Sequence, residues 1–175
     1  MKNLLAAGAL IMITACGPNT SQTSERRVSS YDSARALSLQ QKELAVKPAT
    51  GYFARNDIKQ NDSIACWLFE SAAARDSVLG IAKTMNNIID TADFTREMMA
   101  VITLMPSSLT QHLELVSAAQ TEEAAHLHFS IRIDTPKRTY NTAAVWAGIL
   151  PKTEGLKEVR FYRGDELIKS IDIDR

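Results

Sequence analysis

Glycine is sparse in this 175-residue chain and poorly spaced for phosphate chemistry. The seven glycines stand at 8, 17, 51, 80, 148, 155 and 164. No two have the spacing of a P-loop or a dinucleotide fingerprint, so neither backbone cradle can be built in its usual form. His-Glu-x-x-His, Cys-x-x-Cys, Gly-x-Ser-x-Gly and the EF-hand loop are missing too, which argues against the familiar zinc-hydrolase, dithiol, α/β-hydrolase and calcium designs. An excess of either charge is also lacking, with 20 basic and 20 acidic side chains. Nothing is left over to neutralise phosphates, so no nucleic-acid partner is expected. No apolar run approaches the roughly 20 residues that a membrane-spanning helix needs. Cysteine occurs twice, and there is no internal repeat.

What is present begins with an address. Met1, Lys2 and Asn3 make a short positive start, and Leu4–Ala15 follow as an uncharged, mostly apolar run. That is the layout of a secretory signal. The run closes in Ile13-Thr14-Ala15-Cys16-Gly17, which resembles the lipobox of bacterial lipoproteins. In that family the signal is cut before the cysteine, whose sulfur and new amino group carry lipid. The resemblance implies a leader over 1–15, a lipid attachment site at Cys16 and a formal charge of −1 without the leader. Buried acyl chains contribute about 0.8 kcal/mol per CH₂ and hold a protein to a membrane without a spanning helix. Gly17 rather than Asp after the cysteine, with no acidic run beyond it, points by analogy to the periplasmic face of an outer membrane.

Residues 16–47 read as a tether. Gly17–Ser30 is polar and offers little apolar surface against the entropy of ordering. A short helix can form over Tyr31–Val46, which carries Leu37, Leu39 and Leu44, and Pro48 marks the expected start of the folded domain, 48–175. In that domain strands are expected at Gly51–Asn56, Ser63–Glu70, Met98–Met105, His112–Ala118, Ala125–Ile133, Thr142–Leu150, Val159–Arg163 and Glu166–Ile173. Ile64–Phe69 and Met98–Met105 are apolar at both parities, the pattern of strands covered on both faces. Ser71 can cap one amphipathic helix running to about Asn86, with Ala74, Val78, Ala82 and Met85 inward and Arg75, Asp76 and Lys83 off the stripe. Gly164-Asp165 between two alternating runs is a hairpin turn, which also accounts for the Arg163-Gly164-Asp165 tripeptide. The expected class is α+β, mostly antiparallel and sandwich-like, with about seven strands and one main helix.

The order of strand, helix and then Ala92-Asp93-Phe94-Thr95-Arg96-Glu97-Met98-Met99-Ala100-Val101-Ile102 resembles the C-terminal domain of the protease complex subunit PrcB and related small lipoproteins. The likeness covers roughly residues 63–151 and is most specific over Asp93–Ile102. It implies a non-catalytic role in binding or stabilising an envelope protease, and brings no catalytic residues and no cofactor with it. The family's Gly-Gly-Tyr-like turn is replaced here by Pro106-Ser107-Ser108. In physical terms Asp93 can cap a single turn and Phe94 can plug the edge of the domain.

Two residue groups bear chemistry. His126 and His128 share a strand face. If the chain turns near Thr121, His112 and Glu114 can join them, a set that suits Zn²⁺ or Cu²⁺. The plainer reading is a wet sheet face. Cys66, inside IACWLF, is either a nucleophile or an inert buried thiol, and its surroundings favour the second. The chain is therefore expected to be no enzyme. Its expected role is to bind a protein, a protease or an assembly factor; the alternatives are an accessory envelope lipoprotein with no protease partner, or a metal-binding module on His126 and His128.

Overall fold

The two strands that read as apolar at both parities are covered on both faces. The computed structural model describes residues 41–82, 88–135 and 137–174. Its elements run β1 Lys42–Glu43, β2 Lys47–Pro48, β3 Tyr52–Ala54, β4 Ile64–Phe69, α1 Ala72–Val78, β5 Leu79–Ile81, β6 Glu97–Leu104, β7 Thr110–Gln120, β8 Ala124–Asp134, β9 Val145–Pro151, β10 Glu158–Arg163 and β11 Glu166–Asp172. One sheet has the order β1-β7-β8-β10-β11, a second β2-β9-β6-β4, and β3 pairs with β5 as a ribbon. The molecule is mostly β, sandwich-like, with a single short helix among the described residues.

β6 shows why the second sheet is so apolar. Met98, Ala100 and Ile102 face the first sheet and pack with Leu127, Phe129, Val159 and Phe161. Met99 and Val101 face the other way, against a cover of Val78, Leu79, Ile58 and Phe94. The first sheet has only one covered face, so β8 alternates: Ala125, Leu127 and Phe129 are buried, while His126, His128 and Ser130 point outward. Asp93 accepts from the Thr95 amide at 3.1 Å and its carbonyl takes the amides of Arg96 and Glu97, making the single turn that launches β6.

Three departures from the sequence reading have physical causes. The helix begins as expected, with Ser71 Oγ accepting from the Ala74 amide at 3.2 Å, but it ends at Val78. Leu79–Ile81 extends to pair with β3, and the Phe53 ring lies over Gly80, where a Cβ would come within 2.2 Å of it. Residues 83–87, where the expected helix continues, lie outside the described residues. Within α1 the inward residues are Arg75 and Val78, while Ala74 is exposed. The packed chain also starts before Pro48. Residues 42–43 pair with β7 and 47–48 with β9, crossing from one sheet to the other around Leu44, which is buried in the inter-sheet core. No helix forms over the described residues 41–46, and β2 comes close because Gly148 opposite Pro48 lacks a Cβ, which would sit 2.7 Å from Val46. Lastly β8 and β10 are parallel neighbours, joined through β9 in the opposite sheet.

Candidate functional site

The outer face of the five-stranded sheet carries the histidine pair. Register places Ser117, His128, Tyr162 and Leu167 side by side on β7, β8, β10 and β11. The next row holds Ala119, His126, Arg160 and Ser170. Tyr162 is the centre of the group. Its ring stacks on His128 with centroids 4.5 Å apart and planes 6° apart, and lies 5.7 Å from the His126 ring. The Tyr162 hydroxyl and His126 Nδ1 share a hydrogen bond of 3.1 Å. His128 Nδ1–H donates to the Gly164 carbonyl at 2.7 Å, which leaves the lone pair of the neutral ring on Nε2.

Partial burial, then the Arg160 and His128 charges, push His126 below the ordinary imidazole value. Beside it Arg160 and Ser170 both donate to Glu158, and those bonds hold the Glu158 carboxyl below the usual range. Leu167, 52% exposed, ends the row on one side, and Val116, 68% exposed, stands beside Ser117 on the other. Val116 is the extra residue of a bulge between Leu115 and Ser117, and with His128 and Gly164 it lines a hollow of about 470 Å³.

The turn near Thr121 forms, yet His112 and Glu114 do not converge on the pair. They lie beyond the bulge, opposite Arg132 and Ser130. Four residues along β8 put the His112 position about 13 Å from the His128 row. His112 Nε2 instead meets Asp134 at 3.0 Å. Among the described residues no three His, Cys, Asp or Glu side chains are grouped to hold a metal ion. Zinc binding that His126→Ala abolishes in the purified protein would restore the metal reading.

Cys66 sits in the inter-sheet core, and burial pushes its thiol up to about 12, the opposite of what a nucleophile needs. Cys16 lies outside the described residues. The residue that sequence reasoning missed is Tyr162. The alternation of Glu158–Arg163 puts it on the outward face, but nothing local announces that β10 pairs with β8.

No protein-family model, curated protein or solved structure matches this chain.

Proposed function

We propose that this chain is a lipid-anchored protein of a bacterial envelope, held through Cys16 at the periplasmic face of an outer membrane, whose β-sandwich binds another protein. The observation that carries the binding half is the row Ser117–His128–Tyr162–Leu167 with Val116 beside it. Stacked rings between two exposed aliphatic side chains form a platform of the kind that protein interfaces favour, where aromatic residues are enriched. The lipobox-like Ile13–Cys16 segment supports the anchor, and the PrcB-like segment Asp93–Ile102 makes a protease the first class of partner to test.

In-cell crosslinking of the tagged full chain, followed by mass spectrometry of the envelope fraction, tests this reading. One enriched protease or assembly factor is expected, and Tyr162→Ala with Leu167→Ser should remove it. Recovery of bulk envelope proteins alone overturns the protease part and leaves an accessory lipoprotein without such a partner.

A further inference from the structure

The two main sheets have four edges, and three of them are blunted. β1 and β2 are two residues each, and the side of β7 that β1 leaves open carries His112, Glu114 and the bulge at Val116. β11 carries Glu166, Lys169 and Asp172 and is bulged at Ile168. Short edges, charges and bulges are the devices that stop a sheet from pairing with stray strands. β4 has none of them. Its sequence IACWLF holds no charge and no proline, and its six pairs with β6 run in unbroken register.

The hydrogen-bonding phase of β4 follows from its ends. The Met105 amide donates to the Ser63 carbonyl at 2.9 Å, so Ser63 and Met105 form a hydrogen-bonded pair. Pairing alternates from there, and Ala65, Trp67 and Phe69 turn their backbone groups to β6. The other side of β6 gives the same phase, since the Leu104 amide donates to Ala144 and the Lys152 amide to Arg96. Ile64, Cys66 and Leu68 therefore aim N–H and C=O groups away from β6. No described strand takes them up.

Beside this edge a groove of about 480 Å³ separates β4 from β11, lined by Ile64, Cys66 and Ile168 among others. Lys59 and Lys169 also line it, and neither makes an ion pair among the described residues. Arg163 is already paired with Glu166, so Asp62 alone offsets the two lysines and one positive charge remains.

We propose that the β4 edge receives an extended segment of a partner protein as an added strand, with alternate apolar side chains entering the groove and an acidic residue meeting Lys59 or Lys169. Main-chain bonds then supply affinity and the groove supplies selectivity, as in other strand-addition modes. A second copy fits less well. The edge it would present in turn, Ile64–Phe69, has no acidic residue to meet the lysines. This surface goes beyond the outer-face platform and does not depend on the identity of the partner.

The test uses the full chain and a synthetic, end-blocked heptapeptide of sequence EVTVTVE, with amide exchange read residue by residue. The peptide should slow exchange at Ile64, Cys66 and Leu68 by about tenfold or more at saturation, and a backbone N-methylated version should not. Leu68→Pro removes one outward donor but no bond to β6, and should weaken binding by about tenfold with the fold retained. Lys169→Glu, on the exposed rim, should weaken it several-fold. Unchanged exchange at millimolar peptide overturns the assignment, as does equal slowing by the N-methylated peptide. Slowing that grows with protein concentration alone, with no peptide present, shows a second copy as the occupant and overturns it too. If a crosslinked partner shields the Tyr162 row and leaves these three amides unchanged, the edge fails while the binding reading stands.

Discussion

Arg75 is buried, 7% exposed, in a layer that is otherwise apolar. Its guanidinium lies 5.7 Å from the ring centres of both Tyr52 and Phe94 and pairs with Asp76 at 2.7 Å, so one side chain braces β3, α1 and the turn before β6. Arg75→Ala should cost about 2 kcal/mol in a denaturant melt, through lost stem packing and lost contact with two aromatic faces. Arg75→Lys keeps the charge but not the planar face, and should recover less than half of that loss. Cys66 makes the opposite case of a group silenced by its surroundings. Its thiol should label with maleimide in unfolded protein and stay unlabelled for hours in native protein at pH 7. His126 contributes a pH dependence of definite sign. Its native value is below the ordinary 6.5, so the unfolded chain binds the proton more tightly. The stability from this group is complete above about pH 6.5 and is lost as pH falls through the native value. Arg160, His128 and Glu158 face the ring and stay in place, so His126→Asn should flatten the fall in melting temperature between pH 7 and 5.

At the scale of the element, closeness of packing decides what each strand tolerates. Gly148→Ala should destabilise by about 1–3 kcal/mol, because its Cβ would meet Trp146 at 2.4 Å and Val46 at 2.7 Å. A thermal melt checks this, and Gly80→Ala is the control in which the flexible Phe53 ring can swing aside. About seven strands were expected; the ranges read from the sequence recur within a few residues of their ends, because period-two alternation and double-faced apolar runs are local signals, while the short β1, β2 and β5 were not foreseen. The Gly164-Asp165 turn was legible for the same reason, with Gly164 at φ +58° joining Arg163 to Glu166. What was not legible was set by distant neighbours. Arg75 reads as surface by charge and is buried because two aromatic rings from elsewhere meet it. Leu79–Ile81 reads as helix and becomes strand because β3 offers it a pairing edge. His112 reads as part of a cluster until the bulge at Val116 and the register beyond it place it opposite Arg132.

At the scale of the molecule, Cys16→Ser should move the protein from the membrane pellet to the soluble fraction of lysed cells, a change that fractionation and blotting can follow. The connection from β8 through β9 to β10 bears on how such a fold can be reached in time. β8 and β10 lie side by side, yet the chain between them crosses to the opposite sheet and pairs with β6. The parallel pairing of β8 with β10 therefore closes a long loop whose middle, β9, belongs to the other sheet, which couples the two sheets. Long-range pairings of this kind place folding in the millisecond-to-second range. Trp67 reports on the outer cover and Trp146 on the inter-sheet core, so their fluorescence and the far-ultraviolet dichroism should recover together. A lag between the two signals would show one sheet forming ahead of the other.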